Sequence, residues 1–350
     1  MNRFLKESFL VMALFTVACL ALTWVAPIGW VDGMMQDKLH HIAQTQSSDS
    51  AYTHLIVGSS RVYRQIDALT VDRSAADCGL ALRSFNLGIY GMFNPEGYHL
   101  SESVLGSAAH RKAIQFMTVE LTDEDLQFSH HPRDNYFMTP AECWHRIRVD
   151  AQSPDLHFFE RIDRAANYLK LLAMNTFHMG HRHLLAAVYH KATKGNVFME
   201  HRGYRGLDSE LEETRRSDLM TRVEEFTRDT LPALVRIRDQ WNEATADPAA
   251  HLNGTELERL MAMISKAQAE GIHLFFAIHA PMTTVTPELV ALHEALPPEH
   301  VLPILNPNEF PSLYNQELFF DRGHYNANGT AAYSVKFAEA FAQRVAALNR

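Results

Sequence analysis

The chain has 350 residues, 47% of them hydrophobic, and a formal net charge of -9. That apolar content is enough to bury a large core, and the acidic balance leaves no basic footprint for nucleic acid, so DNA and RNA are excluded as expected partners.

In chain order the first element is an apolar stretch. Phe9 to Trp30 carries no charge, about the length that crosses a hydrocarbon core. The spacing predicts a cytoplasmic N-terminus over 1–8 and a single transmembrane anchor over 9–30. Arg3 and Lys6 precede the run, Asp32 follows it, and Trp24 and Trp30 suit the far interface. The positive-inside tendency then places the remaining chain outside the cytoplasmic (inner) membrane, in the periplasm or extracellular space. A cleaved signal peptide is the alternative; the length of the run and the lack of a small-x-small site weigh against it. Residues 31–52, which include the polar Gln44 to Ser50, read as a linker.

From residue 53 onward short apolar runs alternate with longer helical patterns, the sign of an α/β domain with a central parallel sheet. Strands are expected at His54–Val57, Arg83–Leu87, Ile114–Leu121, His273–Ile278 and Val301–Leu305, and helices at Pro95–His110, Gly254–Gln268 and Asn328–Leu348. In the last helix Asn328 is the expected cap, and Ala331, Val335, Phe341 and Val345 lie at helical spacing. Between about 126 and 252 the strand signal fades into charge, histidine and helical stretches at Asp155–Leu172 and Glu210–Ala244. This segment reads as a helical insertion: a lid or acceptor groove, a docking element, or a solvated subdomain. The charges at Glu210, Glu212, Glu213, Arg215 and Arg216 are expected on an exposed helix face.

Two motifs carry chemistry. Val57-Gly58-Ser59-Ser60-Arg61 directly follows the first strand, and Asp321-Arg322-Gly323-His324 precedes the last helix. A serine hydroxyl becomes a nucleophile when a base takes its proton and a third group orients that base. Ser60, His324 and Asp321 fill these three roles, with Asp321 and His324 expected on one face of a helical or 3₁₀ turn. Such groups fall at the C-terminal edge of an open α/β sheet. The Gly-x-Ser-x-Gly elbow of the α/β-hydrolases is absent around Ser60.

These blocks resemble the GDSL/SGNH hydrolase superfamily. Gly58-Ser59-Ser60-Arg61 is similar to its first block, with Ser59 in place of the family's Asp as in membrane-anchored members. Ser84-Phe-Asn86-Leu-Gly-Ile-Tyr-Gly91 is similar to its second block. The resemblance implies a flavodoxin-like three-layer sandwich over 53–350 with Ser60 as nucleophile. It also implies an oxyanion hole made by the N–H groups of Ser60 and Gly91, the latter placed better than Gly88 by its distance from Asn86. The family's third block brings an Asn, whereas Met117 to Asp125 contains none, which leaves a third oxyanion donor unassigned.

Arg61, Asn86 and His279 are further candidates for substrate contact. Arg61 either holds a substrate carboxylate or phosphate or is an exposed strand-end arginine; His279, in Ala277-Ile-His-Ala-Pro281, either reaches substrate or is a satisfied buried histidine. Among the 20 histidines, the clusters His40-His41, His130-His131 and His178 to His183 lack a recognisable zinc-ligand pattern, and neither metal nor cofactor is expected. Cys78 and Cys143 are left open as a disulfide pair.

The expected function is a membrane-anchored, extracytoplasmic serine esterase or O-acyltransferase. By resemblance it acts on an acyl ester of an envelope or exported polysaccharide, with a multi-spanning membrane acyltransferase as a candidate partner. The alternative is a catalytically weak binding or scaffolding subunit of such a system, which the missing block-three Asn favours.

Overall fold

The computed structural model describes residues 2–25, 33–122, 136–153, 156–176, 201–279, 285–302 and 306–348. In chain order these form α1 (Asn2–Val25), α2 (Gly33–Thr45), β1 (His54–Gly58), α3 (Ser60–Gln65), α4 (Ala68–Asp77), β2 (Ser84–Gly88), α5 (Glu96–Gly106), α6 (Ala108–Arg111) and β3 (Phe116–Glu120). Next come α7 (Pro140–Gln152), α8 (Phe158–Thr176), α9 (Leu207–Thr214), α10 (Ser217–Ala246), α11 (Gly254–Ala269), β4 (His273–Ala277) and α12 (Pro287–Ala295). β5 (Val301–Leu302), β6 (Phe319–Asp321), β7 (His324–Tyr325) and α13 (Ala327–Leu348) complete the order. They divide into two compact units, Met1–Asp37 with Leu126–Gly195, and Lys38–Asp125 with Asn196–Arg350.

The second unit is built on a five-stranded sheet in the order β2-β1-β3-β4-β5, with every neighbouring pair parallel. Every residue of β1, β2 and β3 is buried, and since successive side chains point to opposite faces, both faces are covered. Helix α13 supplies much of the cover through Tyr333, Phe337 and Phe341, each fully buried. Phe341 stacks on the His54 ring at 4.4 Å and meets Phe275 at 5.1 Å. The 2-1-3-4-5 order reverses direction between β1 and β3, and in such sheets ligands bind outside the carboxyl ends of the strands at that switch point.

Strand β2 is a sheet edge, and its exposed backbone is covered by part of the expected insertion. Asn86 N–H donates to the carbonyl of Arg202 at 2.9 Å. Lys38, fully buried, donates to the carbonyls of Asn86 (3.0 Å), Gly88 (2.7 Å) and Gly203 (2.7 Å) and sits 4.4 Å over the Tyr63 ring. A buried ammonium is tolerated because all three donors find acceptors, and the ion ties α2 to the end of β2.

The structure departs from the expectations in several places, among them the expected helices Pro95–His110 and Glu210–Ala244, each of which is two helices (α5 and α6, α9 and α10). The linker at 31–52 contains a helix, α2, whose Met35, Lys38 and Ile42 are buried. Within the insertion over 126–252, everything from Asn196 onward belongs to the same compact unit as the sheet. Glu210 is not solvated: it is 8% exposed and pairs with Arg64 at 2.5 Å, while Glu212, Glu213, Arg215 and Arg216 are exposed. The cap of α13 is Asn326, whose Oδ1 accepts from Gly329 N–H at 3.0 Å, not Asn328. Asp321 and His324 face each other across the β6/β7 hairpin rather than along a helical turn.

In the first unit, α7 packs on α8. Tyr168 donates to Asp150 at 2.7 Å, and the buried Arg146 pairs with Glu142 at 2.7 Å. Within helix α1 the described residues Phe9 to Val25 carry no charge. No helix among the described residues is long and apolar enough to cross a membrane; residues 26–32, including Trp30, lie outside them, as do His130-His131 and His178 to His183. Phe9, Leu10, Val11, Met12, Leu14, Phe15 and Val17 of α1 are exposed.

Candidate active site

Strand β1 delivers the chain to a tight turn that needs glycine. A Cβ on Gly58 would lie 2.3 Å from Val62 Cγ2 and 2.7 Å from Glu120 Cβ, too close for any side chain. The next residue, Ser59, caps α3: its Oγ accepts from the Arg61 N–H at 3.1 Å, and it is 2% exposed. Its hydroxyl is thereby committed to the backbone. Ser60, the first residue of α3, turns the other way, and its Oγ lies 3.0 Å from His324 Nε2.

The β6/β7 hairpin presents the other two groups. His324 Nδ1 is 2.9 Å from Asp321 Oδ1, which also accepts from Gly323 N–H at 2.8 Å. Gln65, in the last turn of α3, donates to the Gly323 carbonyl at 2.6 Å and so fastens the serine's helix to the hairpin. With Nδ1–H donating to Asp321, the Nε2 lone pair faces the serine hydroxyl, the tautomer a general base requires.

A fourth residue joins this relay. Arg222 on α10 pairs with Asp321 Oδ2, and its Nη2 also lies 3.2 Å from His324 Nδ1. Burial alone would raise the Asp321 carboxyl, but the hydrogen bond from His324, the charges of His324 and Arg222 and the Gly323 N–H outweigh it, so the group is held below its usual range. Asp321 therefore stays an anion at neutral pH.

Beneath the nucleophile turn lies Glu120, the last residue of β3. Its Oε2 accepts from Ser59 N–H at 2.5 Å, and Arg61 Nη1 is 3.7 Å from Oε1. Burial pushes this carboxyl up, with Arg61 and the Ser59 hydrogen bond opposing. Arg61 thus lies within ion-pair range of Glu120 without a hydrogen bond to it. Asn86 is fully buried and structural: its amide donates to the carbonyls of Val62 (2.6 Å) and Ile66 (2.7 Å), and its Oδ1 accepts from Gly88 N–H at 2.9 Å. His279 is also fully buried, with Nδ1 2.5 Å from the Tyr333 hydroxyl, and burial pushes its pKa down to about 3. Both are 0% exposed, which corrects the expectation of substrate contact for Asn86 and selects the buried alternative for His279. Gly91 takes φ +64 in the turn after β2, where a Cβ would meet open space.

A cavity of about 620 Å³ opens beside the relay, lined by Arg222, Glu225, Phe226, Arg228 and the hairpin residues Asp321 to His324. Ser60 is not in its lining, and lies one hydrogen bond away through His324. Among the described residues no group of three or more His, Cys, Asp or Glu is placed to hold a metal ion. Cys78 and Cys143 are free thiols, the first exposed and the second buried.

Sequence reasoning missed Arg222 and Glu120. Glu120 left a signal, a carboxylate closing the apolar run Phe116-Met-Thr-Val-Glu120. Arg222 left none, since only the tertiary fold brings it across 99 positions to Asp321. No family model, curated protein or solved structure matches the chain.

Proposed function

We propose that this protein is a serine esterase or O-acyltransferase of the SGNH type, held at the outer face of the cytoplasmic membrane and acting on acyl esters of an envelope or exported polysaccharide. The observation that carries the chemistry is the hydrogen-bonded line from Ser60 through His324 to Asp321, with distances of 3.0 and 2.9 Å, set after β1 of a 2-1-3-4-5 sheet. Polysaccharide and membrane placement rest on the resemblance in the Gly58 to Arg61 and Ser84 to Gly91 blocks and on the uncharged stretch that starts at Phe9 within α1, after Arg3 and Lys6.

In this reading Ser60 Oγ attacks the acyl carbonyl while His324 Nε2 takes its proton. Asp321 holds the imidazole in the required tautomer and balances the imidazolium that forms. The N–H groups of Ser60 and Gly91 meet the oxyanion. His324 returns the proton to the leaving alcohol, leaving an acyl-Ser60 ester, which water resolves in an esterase and a sugar hydroxyl in a transferase. The absent block-three Asn favours a second reading, a scaffold with weak catalysis, because one missing oxyanion donor costs about a hundred- to a thousandfold in rate.

The test is turnover of p-nitrophenyl acetate by the full chain with and without soluble oligosaccharide acceptors, with acyl-Ser60 trapped by acid quench and read by intact mass. A transferase gives acetylated oligosaccharide, and an esterase gives acetate alone. A folded protein that forms no acyl-enzyme under either condition contradicts both catalytic forms.

A further inference from the structure

The cavity beside His324 has an unusual charge for this chain. In a protein of formal net charge -9 it is lined by three guanidiniums, Arg222, Arg228 and Arg322, against two carboxylates, Glu225 and Asp321. Asp321 is already bound by Arg222. Arg222, Glu225 and Phe226 lie three and four residues apart on α10 and so share a helix face. Phe226 is 5% exposed and packs toward Phe319 at 6.3 Å, which gives the cavity an apolar floor beneath its charges. Arg228, one further turn along, is exposed. The volume of about 620 Å³ falls in the range of small-ligand sites, roughly 300–1,000 Å³.

We propose that this cavity is a subsite for an anionic group of the substrate, a sugar carboxylate or a phosphate, bound by Arg228 and Arg322, with Arg222 shared between the anion and Asp321. Guanidinium forks match the geometry of both groups and bind them with paired charge-assisted hydrogen bonds. The anion lies beside the imidazole while the scissile ester reaches Ser60 beyond Nε2, so the subsite selects esters carried by acidic rather than neutral glycans. Arg61, the residue that the sequence offered for an anion, lies 3.7 Å from Glu120 and is not in the cavity lining. The inference rests on the proposed acyl-transfer function and narrows its substrate class.

Binding to the full-length Ser60→Ala protein, in which acylation is blocked, tests it. A glucuronic acid disaccharide, inorganic phosphate and a neutral glucose disaccharide are titrated by calorimetry at low and high salt. The same titrations follow on the added Arg228→Glu substitution, at an exposed helix position that tolerates polar change. The expected result is binding of an anionic probe about tenfold or more tighter than the neutral one, weakened at least about tenfold by Arg228→Glu and reduced by salt. Preference for the uronate assigns the subsite to a sugar carboxylate; preference for phosphate assigns it to a phosphoryl group. Equal affinity for the neutral disaccharide, no anion binding, or indifference to Arg228→Glu overturns the subsite. Wild-type Ser60 labelling by a fluorophosphonate is read separately. Labelling without anion preference refutes the subsite alone, and anion binding without labelling refutes the acyl-transfer reading alone.

Discussion

Replacing Ser59 with alanine is expected to loosen the turn that carries Ser60 while leaving the nucleophile in place. The Ser59 hydroxyl accepts one hydrogen bond, from Arg61 N–H at 3.1 Å, and caps a helix of only six residues. Losing such a cap costs about 1 kcal/mol, a fall in Tm of about 2–4 °C for a domain of this size. If all of that loss appeared in the transition state, the rate would fall about fivefold. Ser60→Ala, which removes the group 3.0 Å from His324 Nε2, should instead lower p-nitrophenyl acetate turnover by about a thousandfold or more, with little change in stability. The assay pairs turnover with urea unfolding on the same samples. A Ser59→Ala protein that unfolds within about 2 kcal/mol of wild type yet loses as much activity as Ser60→Ala would refute the assignment of the two hydroxyls.

Three further outcomes follow from the same geometry. Gly58→Ala places a Cβ 2.3 Å from Val62 Cγ2 and 2.7 Å from Glu120 Cβ, so thermal unfolding should show a loss of about 1–3 kcal/mol, and unchanged stability would contradict the close approach. His54 and His279 are fully buried and held neutral, with burial pushing both pKa values down to about 3. The unfolded chain binds their protons below about pH 6.5, so their contribution falls as pH drops from about 6.5 toward 3. The loss is about 2 kcal/mol per histidine between pH 7 and pH 5, measurable by urea titrations; a flat profile in that window would count against their neutral burial. Arg222→Met removes a cation that helps hold the Asp321 pKa down. Because that depressed pKa stabilises the fold above the unfolded carboxylate value and the benefit disappears as pH falls through the folded one, the variant should be less stable than wild type at pH 7. A difference of about 1 kcal/mol or less is expected, since Arg222 is about one-third exposed, and it should shrink as acidification protonates Asp321 in the folded protein; a difference unchanged by acidification would point to lost packing instead.

The parts of this fold that could be read from sequence were those encoded over a few neighbouring residues. All five sheet strands show as short apolar runs, and β4 begins at His273 as expected. The three active-site groups lie in two local blocks whose chemistry is visible residue by residue. What escaped was set by tertiary packing. Helix α2 was hidden by its polar composition, because its buried face includes Lys38, which donates to carbonyls of β2 and Gly203. Glu210 reads as surface charge until Arg64 meets it. The cap of α13 falls two positions early because Asn326 and Asn328 are both plausible from composition and only the path out of β7 selects between them. Arg222 sits among ordinary helix charges and acquires a role only where α10 meets the β6/β7 hairpin.

The central claim is that Ser60 is activated by His324. The most direct measurement is fluorophosphonate labelling of the folded full chain, with the modified residue located by mass spectrometry, for wild type and His324→Ala. The account predicts a single adduct on Ser60 in wild type and its loss in His324→Ala at unchanged stability; an unlabelled folded wild type, or an adduct that survives His324→Ala, would contradict it.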